Sequence, residues 1–517
     1  MKKSLYILIS CLLLASCGVR FNPEPKKVTQ KFFPEMEDFP ALTPALQKKK
    51  GFTNYEELIN FLEEQKNQHP DLVDIIYIGN TQKGLAIPMI KIKKQTSEEK
   101  IRVWLQGGLH GNEPASTEGV LYLIHEVLNN PTYAYLLDRI ELGIVPMANI
   151  DGYVKLNRSA ANGLDLNRDQ TKLMAPESVV LKTAYSNFNP EVALDFHEYN
   201  AYRRDFARMG RNGITNAFDV MFLYSSNLNV PENIRAAIDT TFVEGARKKM
   251  NEFNLRHDDY MSTRTDLTTI YFNKGSTNAR SSATSYALSN TISALIEVRG
   301  VNLGRTSFNR RVHTTFQVGL ASLKVSYQNK DFFKEQIKIA SSVQKDEVVV
   351  VKYERPFSKD TIRVIDLHRL EKMPLPILVR DAKNVSPKMT RKVPVAYYLD
   401  ASLSEIASKL EALGLNISKL STEEKVKVNT YKVINYTLEP EKFEKMRLQN
   451  VAIQLEEKEI TLPVGSYRIE VNQKNRGLLY EVLEPEAANS FVSFGVLPTS
   501  EGETLPIYRS VEKFTSE

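Results

Sequence analysis

The sequence predicts an α/β fold with a mixed sheet over residues 51–345, followed by a smaller, mostly β region over residues 346–517. Three observations lead there. Apolar runs of strand length alternate with stretches of helical spacing up to about residue 343. The residues best suited to chemistry fall where strand-like runs end, the place where open α/β sheets usually build their sites. After about Asp346 the texture turns to short β-branched runs, and none of the chemistry-bearing segments recurs.

In chain order, Thr53-Asn54-Tyr55-Glu56 fits a capping box and predicts a helix to about residue 67. Runs 72–78 and 86–92 read as strands joined by a turn at Gly84, and 102–105 as a strand feeding a glycine-rich turn. Helical spacing over 116–128 puts Val120, Leu121, Ile124 and Leu128 on one face. A strand at 140–147 leads into a loop over 149–168, and 192–196 and 220–224 are further strands. In the helix expected over 234–251, Ile234, Ile238, Phe242, Ala246 and Met250 recur at steps of four. A last helical stretch covers 306–343. In the β region, strands are expected at 348–351, 361–365, 395–398, 426–438 and 464–471, with a helix inserted at 402–413.

A chain of 517 residues exceeds one ordinary core, and 42% apolar with 25% charged residues is globular composition. The net charge of +6 is small for this length, and no basic run interleaved with aromatics suggests nucleic acid. Residues 1–17 read as an export signal: Lys2 and Lys3, an apolar run over 5–14 too short to span a bilayer, then Leu14-Ala15-Ser16-Cys17. That ending resembles the lipobox of bacterial lipoproteins, which implies lipid on Cys17, a membrane-anchored chain and a place in the cell envelope facing the periplasm or the exterior. Cys11 and Cys17 are the only cysteines, so the processed chain holds no disulfide. Residues 18–50 are rich in Pro, Lys and Gln and read as a tether. Oligomeric state is open at this level.

The chemistry centres on Gly107-Gly108-Leu109-His110-Gly111-Asn112-Glu113. An imidazole and a carboxylate three residues apart are suitable zinc ligands, and a catalytic zinc takes three protein ligands with one position left open. His197, at the end of the strand-like Ala193-Leu194-Asp195-Phe196-His197, is the expected third. His125 is a rival, but it falls within the helical stretch 116–128. Glu297 ends the apolar run 292–296, where a buried approach to a charged residue needs a reason.

With Arg158, Asn167 and Arg168 added, these segments in this order resemble the zinc carboxypeptidases, over roughly residues 50–330. The resemblance implies one zinc per chain on His110, Glu113 and His197, and a hydrolase acting on the C-terminal bond of a peptide. It implies that Glu297 is the general base for the attacking water and Arg158 the stabiliser of the oxyanion. It also implies that Asn167 and Arg168 hold the substrate's terminal carboxylate, and that Asp165 orients the first histidine. Arg280 and Tyr199 are further expected substrate contacts. The mobile tyrosine of the family is not located; Tyr271 and Tyr286 are nearby without a convincing spacing. Two rival readings use the same residues: a zinc amidase acting on cell-wall peptides or N-acyl compounds, and an inactive binding lipoprotein.

Overall fold

Eight strands form the sheet that carries the site: β1 (Val73–Asn80), β2 (Ala86–Ile92), β3 (Ile101–Gln106), β4 (Ile140–Val145), β5 (Val192–Tyr199), β6 (Val220–Leu223), β7 (His257–Asp259) and β8 (Ile292–Arg299). A computed structural model describes residues 25–266, 268–344 and 346–511, so Cys17 and the export signal lie outside the described residues. The strand order is β1-β2-β4-β3-β5-β8-β6-β7. The centre, β4-β3-β5-β8, is parallel, and antiparallel pairs flank it at β1-β2, β2-β4 and β8-β6. This is the mixed α/β sheet that the alternating pattern predicts. Its parallel strands are buried along nearly their whole length, as strands covered on both faces must be.

Helices α1 (Tyr55–Gln68), α2 (Pro114–Asn129), α3 (Pro176–Phe188), α4 (Ser282–Leu288) and α5 (Phe308–Gln328) account for most of the helical cover. The capping box of α1 is set one residue later than the sequence suggests: Asn54 accepts from the Glu57 N–H at 2.9 Å and Glu57 accepts from the Asn54 N–H at 2.8 Å. Thr53 is engaged elsewhere, donating to the buried Glu118 at 2.6 Å. The stretch expected as one helix over 306–343 is two, α5 and Lys330–Ala340. Asn329 divides them, its side-chain amide and its backbone N–H both bonded to the Val325 carbonyl. The helix over Glu232–Glu252 contains a wider, π-type segment at Ala237–Val243. A run spaced strictly by four drifts about 40° per step on a 3.6-residue helix, so the wider turn keeps Ile234, Ile238, Phe242, Ala246 and Met250 on the buried face.

The β-rich C-terminal region is joined to the first by backbone pairing. Phe357–Asp366 and Glu371–Asp381 share a five-stranded sheet with Ile214–Asn216, Met261–Asp266 and Thr269–Lys274. A six-stranded sheet includes a hairpin of Glu424–Phe443 and Met446–Leu462. Apolar residues of both regions, from Leu58 and Trp104 to Tyr397 and Leu479, belong to one contiguous core. Sequence reading passes over Glu371–Asp381 because of Pro374 and Pro376. Both prolines precede residues 379–381, where the second neighbour pairs, so on that side their missing N–H groups cost no ladder bond.

Candidate metal centre and anion site

The parallel register sets Glu297 of β8 beside His197 of β5, and matched positions on neighbouring parallel strands share a face. On the other side of β5 lies β3, whose turn carries His110 and Glu113. That turn depends on glycine at two places. Gly108 has φ +63°, and a Cβ on Gly111 would fall 2.1 Å from the Gly152 carbonyl carbon. Pro114 then starts α2, which leaves the Glu113 side chain free of any capping duty.

His110, Glu113 and His197 come together as the sequence predicts, all buried, with one ligand atom of each within 4.8 Å of the others. His110 Nδ1 and His197 Nδ1 are 3.0 Å apart, and each lies 2.8 Å from a Glu113 oxygen. Ligands about 2 Å from a tetrahedral centre are about 3.3 Å from one another, so this spacing suits one small divalent ion. Three facing acceptors without a cation would repel, so the donor set fits zinc. The outer ring nitrogens are both held by carboxylates: His110 Nε2 by Asp165 at 3.0 Å and His197 Nε2 by Asp195 at 2.9 Å. Such partners fix the ring orientation and direct the inner nitrogen at the metal. His125 stays on α2 and does not join the group.

Burial alone would raise the Glu113 carboxyl, but the two histidines override it and hold it well below the usual carboxylate range. For His197 the balance is reversed: burial would lower it, and Asp195 and Glu113 push it well above an ordinary histidine. Glu297 differs from both. Among the described residues none holds its carboxylate by a hydrogen bond or ion pair. Burial, with Glu113 adding to it, pushes it up to about 7 against the pull of His197, His110 and Arg158. Arg158 reaches this end as well, with Nε 3.0 Å from Asp165 and Nη1 3.4 Å from Glu113.

Asn167 and Arg168, the expected carboxylate anchor, lie on a one-turn helix capped by Asp165, so the residue that holds His110 also positions this turn. Asn167 accepts from the Ser282 N–H at 2.8 Å, which ties it to the start of α4. Arg168 is 37% exposed at its side chain and donates to the Asn167 carbonyl at 2.7 Å. Arg280 is beside it, its own carbonyl accepting from Gln170. Tyr199 is buried, with its hydroxyl 2.5 Å from the Phe218 carbonyl. Of the two tyrosines that precede Glu297 in the sequence, Tyr286 stacks on Tyr185 in the core at 4.3 Å, and Tyr271 sits edge-on to Phe357.

Sequence reasoning missed three residues. Asp195 is two before His197 on the same strand, and the period of two could have found it. Tyr260 lies in the field of Glu297; burial and the Glu297 charge push its hydroxyl up to about 12. It sits between two short strands and carried no sequence signal. The third is Glu444, at the tip of the C-terminal hairpin, which forms ion pairs with Arg168, Lys172 and Arg280.

Residues 58–201 match the family model described as zinc carboxypeptidase. The chain is 30% identical over 417 residues to Carboxypeptidase 2 of Trichophyton rubrum, covering 80% of this chain and 77% of that one. To Carboxypeptidase 2 of Trichophyton equinum it is 29% identical over 454 residues, covering 87% and 82%. These alignments are longer than residues 50–330, so the similarity is not confined to the segment that carries the motifs. Among solved structures, carboxypeptidase A from Helicoverpa armigera overlaps 56% of this chain and 78% of that one, at 17% identity and a TM-score of 0.42.

Proposed function

The chain belongs to the zinc carboxypeptidase family, and on that premise we propose that it removes single residues from the C-termini of peptides outside the cytoplasm. It is a zinc metallocarboxypeptidase. The observation that carries the site assignment is the convergence of His110, Glu113 and His197 beside a carboxylate, Glu297, that no described residue holds by a hydrogen bond or ion pair.

When bound, zinc is a Lewis acid that lowers the pKa of water and polarises a carbonyl. His110, Glu113 and His197 would hold it, with Asp165 and Asp195 fixing the two rings. Glu297 takes the proton of the attacking water and returns it to the leaving amine. Burial raises the pKa of this carboxyl, which is the direction a group that both takes and returns a proton needs. Arg158, close to Glu113, supplies positive charge where the carbonyl oxygen becomes negative. Arg168 meets the terminal carboxylate with a guanidinium fork and Asn167 adds an amide, so the site measures from the chain end. Tyr260 stands in the field of Glu297, and Tyr199 lies two residues beyond His197 on the same strand.

The test is release of amino acids from a mixed peptide library by protein lacking residues 1–17, with zinc, with chelator, and as Glu297→Gln. Zinc-loaded wild type should release single C-terminal residues, and Glu297→Gln should be slower by about 10²–10⁴-fold. Bound metal without release would remove this reading and favour a zinc amidase for cell-wall or N-acyl substrates. The Leu14-Ala15-Ser16-Cys17 sequence supports a lipid-anchored protein of the cell envelope. Among the described residues no helix is long and apolar enough to cross a membrane, so attachment would rest on that lipid. Cys17→Ser should then move the protein from the membrane fraction to the soluble one; unchanged partition would reject the anchor.

A further inference from the structure

The tip of the C-terminal hairpin reaches the anion end of the site. Glu444 Oε2 lies 2.6 Å from Arg280 Nη1 and 2.9 Å from Lys172 Nζ, and Glu444 Oε1 lies 3.8 Å from Arg168 Nε. Several contacts hold the tip in place. Phe443 pairs with Met446 across a two-residue turn in which Glu444 and Lys445 have φ of 50° and 67°. Lys445 donates to the Asn162 carbonyl at 2.5 Å. The rings of Phe443 and Phe494 each lie 5.0 Å from the Arg280 guanidinium, and Phe494 lies 4.2 Å from Lys172 Nζ.

The three cations are not equally engaged. The Lys172 and Arg280 side chains are 2% and 11% exposed, and both are in close contact with Glu444. Arg168 is 37% exposed and touches Glu444 only at 3.8 Å. Buried cations need a partner, because an unpaired charge in a poorly solvated place is costly. Glu444 supplies the counter-charge of the two buried ones, with a hydrogen bond from Lys172 and an ion pair with Arg280, and leaves the exposed one to a ligand.

We infer that Glu444 is a specificity-determining residue of this peptidase: it is the resident counter-ion of Lys172 and Arg280, and so withholds those cations from an acidic side chain on the substrate's C-terminal residue. The inference rests on the reading of Asn167 and Arg168 as the carboxylate anchor. With Glu444 in place, the α-carboxylate goes to Arg168 and a second negative charge meets a cation pair already occupied. Without it, Lys172 and Arg280 become a ready site for that second carboxylate.

The experiment compares peptides that differ only in ending with glutamate or glutamine, on the full enzyme and on Glu444→Gln. The ratio of kcat/KM, glutamate over glutamine, should rise at least about tenfold in the variant, mainly through KM of the acidic peptide. A tip that only braces the fold would lower both substrates together and leave the ratio alone, which would overturn the inference. Glu444→Asp should keep the ratio close to wild type, and Lys445→Ala, which loosens the tip without removing the charge, should do the same. Calorimetry of N-acetyl-glutamate against N-acetyl-glutamine reads the same discrimination without turnover. If the wild type cleaves neither peptide, the peptidase reading fails on that result. The calorimetric ratio still decides Glu444: a rise of about tenfold in Glu444→Gln upholds it, and no change rejects it.

Discussion

The two ends of the site are built from opposite charges, and they settle the resulting imbalance differently. At the metal end, Glu113, Asp165 and Asp195 surround two imidazoles, and Glu297 stands beside them. At the anion end, Arg168, Lys172 and Arg280 surround one carboxylate. At the metal end Arg158 meets Asp165 and Glu113 from the outside, but the inward-facing oxygens and ring nitrogens of Glu113, His110 and His197 are a donor set that suits a cation from outside the chain. The anion end has a surplus of cations that the chain itself offsets in part: a residue from the far end of its sequence pairs with Lys172 and Arg280 and leaves Arg168 more exposed. A buried surplus of one sign is therefore an invitation to a ligand only where the protein does not already supply the counter-charge.

Asp195→Asn probes the first end most strongly. Asparagine keeps the shape but loses the charge that orients His197, and zinc affinity should fall by about 10–100-fold, read by competition with a chelator. An affinity equal to wild type would mean that the carboxylates around the imidazoles are packing rather than part of the metal site.

A smaller effect sharpens the contrast among cations. Lys172 and Lys182 are ten residues apart and each is 2% exposed, but among the described residues only Lys172 of the two has an acidic partner. Lys182 has the Ser285 hydroxyl at 2.6 Å and the rings of Tyr185 and Tyr286 at 5.0 and 5.1 Å. Burial lowers its pKa from 10.5 to about 7. Between those values the unfolded chain binds a proton that the folded chain does not. Stability should therefore rise with pH across that window, by up to about 1.4 kcal/mol per unit, while below about 7 the penalty is constant. Lys182→Met should remove that rise, seen as a flatter dependence of the urea midpoint between about pH 7.5 and pH 9. An unchanged slope would mean that Ser285 and the two rings stabilise the ammonium as well as water does.

The same division explains how much could be read from the chain alone. The metal end was legible because each part is local: His110 and Glu113 are three apart in one turn, and His197 and Glu297 each lie near the end of an apolar strand. Asp195 could have been added from the same strand period. The anion end was legible only in its nearby half. Asn167 and Arg168 sit in a recognisable loop, whereas Glu444 is 272 residues from Lys172, on a polar hairpin tip that resembles any solvated turn. In the fold, the buried parallel strands announced themselves by hydrophobicity. The strands Met261–Asp266 and Glu371–Asp381 did not, because polar residues and two prolines hide their alternation.

The hairpin also acts as a ruler. Its two-residue turn admits no slack, and side chains on a strand change face at every residue. A single residue gained or lost between Lys442 and Arg447, on the tip side of the irregular pairing at Leu438–Lys442, would rotate the carboxylate away from Lys172 and Arg280, even if every other side chain were kept. If Glu444 guards the pocket as proposed, the number of residues at this tip belongs to the pocket as much as the charges inside it. Homologous chains of different hairpin length should be sorted by that length before their pockets are compared.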